Sequence, residues 1–306
     1  MIENKDLKSG SDRIEKPPAF AGRHYLGTVN RLNCLFELNM YTVQDQTGNF
    51  VSLPFPARRI VSLVPSQTEL LARLGLDEQV VGITRFCIHP NRWYRSKPRV
   101  GGTKQLHPER IRALQPDLVL ANKEENVREQ VEEIRRWCPV YVSDVKDLED
   151  ALQMIRDVGA LTGKDGEAFS LATGIAGAFQ RMQTGTPLTA LYLIWRQPYM
   201  AAGGDTFIHA LLQRAGFVNV LAHQARYPVL TPGALVALQP QVVLLSSEPY
   251  PFTAEHGREL QALLPGSRIL LADGSYFSWY GSRLLGAPAY FEKLRESLIL
   301  SDHGNI

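Results

Sequence analysis

Along this chain, short runs of consecutive apolar residues alternate with stretches in which apolar positions recur every three or four residues. The first pattern predicts strands buried on both faces, the second amphipathic helices packed against them. IVSLVPS at 60–66 reads as a strand stopped by Pro65. Ser66 is placed to cap the next helix, with Glu69 as reciprocal partner and Leu70, Leu71 and Leu74 on the inner face. Gly75 ends that helix and 80–83 is a second strand. Pro108 opens another helix, LVLA at 118–121 is the third strand, and the charged segment 123–136 predicts a helix with Val127, Val131 and Ile134 inward. VYV at 140–142 supplies the fourth strand, and alternation across 41–55 predicts a hairpin turning at 46–49.

One segment is repeated. HPERIRALQPDLVLAN at 107–122 recurs as TPGALVALQPQVVLLS at 231–246, identical at seven positions. Two lobes on one plan face each other across a cleft. Between them 148–161 is amphipathic, and 164–182 predicts a helix of roughly 28 Å. Such a rod resists bending, so the cleft is expected to be largely preformed. The predicted fold class is α/β, with two Rossmann-like parallel-sheet lobes joined by one long helix and a ligand cleft between them. The expected divisions are an extension and hairpin at 1–56, a first lobe at 57–146, a connecting helical segment at 147–184 and a second lobe at 185–306.

With 306 residues, 44% hydrophobic and 21% charged, the chain has material for two ordinary cores. The net charge of +2, from 33 basic and 31 acidic residues, makes no electrostatic case for a polyanionic partner. The cluster Arg85, Arg92, Arg95, Lys97 and Arg99 is irregular and broken by Pro98, so nucleic acid is not an expected partner. No run approaches the length of a membrane span. Residues 1–30 are charged and hold no export-type apolar stretch, which leads to the expectation of a cytoplasmic monomer. Cys34, Cys87 and Cys138 cannot all pair, and none forms a close dithiol.

Some positions carry candidate chemistry. Cys87 and His89 offer a thiolate and an imidazole two residues apart, enough for one axial bond to a metal but too few for a closed site; a buried thiol and a hydrogen-bonding histidine are the alternative. Asn122, Lys123, Glu124 and Glu125 follow a strand, where ligands of α/β sheets lie, although Asn122 or Asn126 can equally cap a helix. Glu248 occupies the echo position of Glu124, so the lobes can present carboxylates at equivalent strand ends. Gly203 and Gly204 permit close backbone approach before a helix that Asp205 or Thr206 caps. Residues 273–288 form the densest aromatic run, and Arg283 beside it can meet a ligand oxygen.

The order of elements, the blocks RRIVSLVPSQTELL and VGGTKQLHPERIRALQPDLVLAN, and the single joining helix together resemble the helical-backbone class of metal-chelate receptors. These are the substrate-binding components of ATP-driven importers for cobalamin, siderophores and haem; the cobalamin receptors look most similar. The resemblance runs from about Tyr41 to the C-terminal helix. It implies a non-catalytic protein with no cofactor or metal of its own, only a bound cobalamin or other metal chelate as ligand. The contact residues it implies on the first lobe are Arg85, Phe86, Cys87, His89, Pro90 and Trp93, then Thr103 and Lys104. On the second they are Trp195, Arg196, Pro198 and Tyr199, then Tyr227, Phe277, Trp279 and Tyr280. Asn122, Lys123, Glu124 and Glu248 join this set from the reading of the strand ends, and Arg283 from that of the aromatic run. An ABC permease is the implied partner, yet only Glu109 matches the family's pair of docking glutamates, because Gly233 stands at the second position. The competing expectation is a cytoplasmic enzyme or sensor that uses Glu124, Glu248, Lys104, Arg196 and His89 on a polar small molecule.

Overall fold

The computed structural model describes residues 40–300; Cys34 and the charged segment 1–30 lie outside them. Three of the predicted strands, Ile60–Ser62, Leu118–Asn122 and Val140–Ser143, are buried at every position. An all-apolar strand is stable only with both faces covered, and parallel neighbours bring the crossover helices that cover them. These strands and Val80–Ile83 accordingly form a four-stranded, wholly parallel sheet, with Ile60–Ser62 and Leu118–Asn122 at its centre. The hairpin pairs Met40–Gln44 with Phe50–Pro54. Asp45 closes its turn by accepting from the amides of Thr47 and Asn49, both at 2.9 Å. The other carboxylate oxygen of Asp45 meets Arg135 at 3.1 Å, tying the hairpin to the first lobe.

The second sheet has six strands. Leu188–Trp195, Val242–Ser246 and Arg268–Ala272 run parallel, Phe217–Asn219 pairs in parallel with the start of the first, and Tyr199–Ala201 and Val229–Leu230 add an antiparallel edge. Alternation assigns its faces. Ala190, Tyr192, Val242 and Leu244 point into one core, whereas Leu191, Leu193, Val243 and Leu245 point into a second beneath Leu260 and Leu264.

Two helices join the lobes. Leu148–Thr162 is capped by Asp147, which accepts from the Asp150 amide at 2.9 Å, and it ends at Gly163 with φ +68. Asp165–Arg181 follows at once and packs against it, so close that a Cβ at Gly159 would lie 2.3 Å from the Ala168 methyl. The larger apolar core runs unbroken from Leu120 in the first lobe through Ile155, Ala172 and Phe179 to Leu211 and Phe291 in the second. Opening the cleft widely would have to shear that packing.

Local expectations fail in instructive places. The first helix is Pro65–Arg73, so Ser66 lies inside it and caps nothing, and Glu69 reaches the second lobe instead. The expected helix 123–136 is shorter, Arg128–Arg135, because Asn122 Oδ1 accepts from the amides of Glu124 and Glu125 and bends the chain into a turn first. Elsewhere the expectation holds: of the two offered caps, Thr206 is the one that caps the helix Phe207–Arg214. Among the described residues no helix is long and apolar enough to cross a membrane.

Candidate functional site: the interlobe cavity

Leu118–Asn122 and Val242–Ser246 are interior strands of their sheets, and the loops after them meet between the lobes, where α/β proteins place ligands. The first loop is shaped by a buried bracket. Asn122 donates to the Ser143 hydroxyl at 3.0 Å while its carbonyl holds the Glu124 and Glu125 amides at 2.8 and 3.0 Å. The side chains of Glu124 and Glu125 are thereby left to the cavity. In the second loop Ser246 accepts from Tyr192 at 3.1 Å, and Glu248 Oε1 accepts from Ser278 and from the Trp279 ring nitrogen, each at 2.7 Å. Gly274 makes this possible, since a Cβ there would sit 2.3 Å from Ser246 Oγ.

The resulting cavity has a volume of about 540 Å³. Its aromatic wall is Phe86, Phe207, Tyr227, Trp279 and Tyr280; Ile88, Val145 and Ile208 add apolar surface, and Ser66, Thr103, Asn122 and Ser278 add polar groups. Glu124, Glu125 and Glu248 are its charged lining, and among the described residues no Lys, Arg or His forms part of that lining. Phe86 and Ile88 stay about half exposed, at 48% and 49%.

Polar contacts cross the seam. Arg226 pairs with Glu124, whose other oxygen accepts from the Tyr227 hydroxyl at 3.3 Å. Tyr280 donates to Glu125 at 2.6 Å, and Arg283 grips Glu69 through two nitrogens at 2.6 and 3.2 Å. Burial, reinforced by the charges of Glu248 and Glu124 against the opposing Tyr280 hydrogen bond and Lys104, pushes the Glu125 carboxyl up to about 7. Burial and the neighbouring Glu125 hold the Tyr280 hydroxyl well above the ordinary phenol range.

Arg226 is held in place by the glycine pair. Cβ atoms at Gly203 and Gly204 would fall 2.4 Å from the Gln224 carbonyl and 1.9 Å from that of Ala222. Their amides donate to the carbonyls of Arg226 and Gln224, and Asp205 accepts from the Arg226 amide. These glycines pack a loop; their amides are not open to an anion.

Of the residues singled out in the sequence, Phe86, Asn122, Glu124, Tyr227, Glu248, Trp279 and Tyr280 line the cavity, as does Thr103. Others stand close by. The His89 ring lies 5.9 Å from Trp279, Arg283 stacks over Trp279 at 4.6 Å, Arg85 stacks over Phe86 at 4.9 Å, and Lys104 donates to the Glu124 carbonyl.

The remainder lie elsewhere, each for a visible reason. Cys87 is fully buried between the hydroxyls of Thr68 and Thr84, at 3.0 and 3.1 Å, which removes it from any ligand and leaves His89 without its thiol neighbour. Trp93 is 2% exposed and donates to Asp77 at 2.8 Å. Phe277 is core, against Tyr192 and Phe291. Trp195 packs edge-on against Tyr250, Arg196 pairs with Glu259 at 2.6 Å, and Tyr199 packs on the outer core. Lys123 pairs with Asp144 at 2.6 Å in a separate polar groove. Among the described residues no group of three His, Cys, Asp or Glu side chains could hold a metal ion.

Sequence reasoning missed Ser66, read as a cap, and Phe207 and Ile208, on the helix that Asp205 or Thr206 was expected to cap; the first turn of that helix faces the cavity. The only signal was their place directly after the Gly203–Gly204 turn.

A model described as "Periplasmic binding protein" matches residues 60–264. A vitamin B12-binding protein of Vibrio cholerae is 24% identical over 216 residues, covering 69% of this chain and 75% of that one. The corresponding protein of Pectobacterium carotovorum is 23% identical over 237 residues, covering 74% and 84%. Among solved structures, the periplasmic vitamin B12 binding protein of Vibrio cholerae superposes with a TM-score of 0.70 at 21% identity, covering 81% of this chain and 99% of that one. A periplasmic heme binding protein of Pseudomonas aeruginosa gives 0.65 at 24% identity, covering 79% and 94%. These matches overturn the expectation of a cytoplasmic protein: the similarity is to periplasmic binding proteins, and it rests on the folded body from residue 60 onward, which the charge pattern of residues 1–30 does not bear on.

Proposed function

The chain belongs to the periplasmic binding protein family, and on that premise we propose that it captures a bulky metal chelate of the cobalamin kind between its lobes and presents it to an ABC permease. It is a binding protein, not an enzyme. The competing assignment of Glu124 and Glu248 to acid–base work finds both carboxylates already engaged, one by Arg226 and the other by Ser278 and Trp279.

The observation that carries the ligand class is the aromatic wall. Phe86, Phe207, Tyr227, Trp279 and Tyr280 come from both lobes onto one cavity, and rigid rings cover a large macrocycle at small entropic cost. The half-exposed Phe86 and Ile88 are apolar surface that a guest would cover. The shared core supports a cavity that exists before the ligand arrives. For the permease, Glu109 supports the reading as an exposed carboxylate in the first turn of Pro108–Ala113, whereas Gly233 opens onto free space on Pro232–Leu238.

Equilibrium dialysis against cyanocobalamin, haemin and a ferric siderophore tests the ligand class. Saturable cobalamin binding tighter than about 100 μM supports the reading. Failure of all three to bind at that level overturns it.

A further inference from the structure

The charges that line the cavity have one sign. Arg226 compensates Glu124, which leaves Glu125 and Glu248 as the acids facing the space. Of the nearby cations, Lys104 donates to the Glu124 carbonyl and favours the ionised Glu125 only from a distance, Arg283 pairs with Glu69, and Arg85 stacks on the face of Phe86. Both donors to Glu248 converge on Oε1, and the Tyr280 hydroxyl likewise meets only Oε1 of Glu125. Among the described residues the second oxygen of each has no hydrogen-bond donor. A further polar group is incomplete. Ser66 is only 3% exposed and lies in the lining beside Tyr280, and its buried hydroxyl completes no hydrogen bond of regular geometry. Buried polar atoms without partners are rare in folded proteins, and one at the wall of a cavity marks where a guest's polar group belongs.

We propose that Glu125 and Glu248 form a charge filter: the cavity takes chelates whose periphery donates hydrogen bonds, as amides do, and turns away chelates of the same size whose periphery carries carboxylates. This rests on the chelate-receptor reading above and adds the selection rule to it. Amide groups on the ligand periphery would donate to the open carboxylate oxygens of Glu125 and Glu248, and an amide carbonyl would accept from the Ser66 hydroxyl. A ligand carboxylate would instead place a third negative charge among two that already crowd each other. Burial is the main cause of the rise of the Glu125 carboxyl to about 7, and the charge of Glu248 adds to it in the same direction.

The test holds ring and size constant. Cobinamide and cobyrinic acid share the corrin ring, with amides on the first where the second has carboxylates. Calorimetric titration of the full chain at about pH 8 is expected to show cobinamide binding at least about tenfold tighter. In the doubly substituted Glu125→Gln, Glu248→Gln protein the ratio should fall toward unity, mainly through tighter cobyrinic acid binding. Should that variant fail to fold, the wild-type ratio at about pH 6 takes its place, and it is expected to be smaller than at pH 8 because Glu125 is then protonated. Equal affinities in the wild type at pH 8, or a ratio unmoved by both the substitutions and pH, overturn the filter and leave the receptor reading standing. If neither corrin binds, the cobalamin reading fails and takes the filter with it, and a chelate receptor then stands only if haemin or the siderophore binds.

Discussion

The Tyr280 hydroxyl of the second lobe donates a 2.6 Å hydrogen bond to the Glu125 carboxylate of the first, inside the seam that the ligand cavity occupies. The contact joins a buried phenol to an acid that burial makes reluctant to ionise, so the seam carries a proton-linked contribution to stability.

That linkage has a definite sign. The Glu125 carboxyl rises from 4.5 to about 7 on folding, with Tyr280 and Lys104 favouring its charge and burial, Glu248 and Glu124 opposing it. Below 4.5 both the folded and unfolded chains hold the proton; between 4.5 and about 7 only the folded chain does. Its contribution to stability is therefore greatest at low pH, falls as pH rises through that window, and levels off above it. Glu125→Gln removes the effect. The melting temperature of the wild type minus that of the variant should be smaller at about pH 8 than at about pH 5, and a difference independent of pH would show that the carboxyl titrates normally.

Arg226 bridges the same seam from a backbone that suits glycine better. Its φ of +61 is left-handed, imposed by the Asp205 and Gly203 contacts, and its guanidinium pairs with Glu124. Arg226→Ala and Arg226→Gly both lose the pair, whose partly exposed geometry is worth less than about 1 kcal/mol. Only glycine relieves the strain. Chemical denaturation should find Arg226→Gly more stable than Arg226→Ala by about 1 kcal/mol, and the reverse order would show that the loop relaxes without help.

How much of this was legible depended on how local the cause is. The strand Leu118–Asn122 and its echo Val242–Ser246 were plain because a parallel interior strand must be apolar throughout. Their common ends gave Glu124 and Glu248 as cavity-facing acids for the same reason. Trp93, Trp195 and Phe277 were grouped with Trp279 through the family resemblance, which carries a position along the chain but not the direction in which its ring turns. Asp77, sixteen residues before Trp93, decided its direction. Ser66 and Glu69 form a capping pattern that a distant partner overrode, since Pro65 already serves as the first helical residue and Arg283 offers Glu69 a two-pronged pair. Long-range partners are the part a linear pattern omits.

Cys87 gives a test of one such reversal. The thiol is enclosed in the core, and burial pushes its pKa up despite the Thr68 and Thr84 contacts. Thiolate is the reactive form, so Cys87 should resist iodoacetamide in the native protein and react after denaturation, as read by peptide mapping. Cys87→Ser should keep chelate affinity within about twofold. Native alkylation of Cys87, or an affinity loss in a folded serine variant, would return the thiol to the ligand site.

The joining helices offer the final test, because the preformed cavity depends on their packing. Glycine inside a helix is ordinarily a weakness, and replacing it by alanine should stabilise by roughly 1 kcal/mol on propensity alone. At Gly159 the new methyl would stand 2.3 Å from Ala168 Cβ and 3.1 Å from the Lys164 carbonyl, neither of which is a flexible side-chain end. Overpacking costs about 1–3 kcal/mol, and a 2.3 Å approach to a neighbour that cannot swing away belongs at the upper end of that range, above the propensity gain. Gly159→Ala should therefore be destabilised in urea by about 1 kcal/mol or more, whereas Gly166→Ala, which meets nothing within 4 Å in the neighbouring helix, should be neutral or stabilised. Equal effects at the two positions would show that the helices are not in the close contact that holds the lobes at a fixed separation.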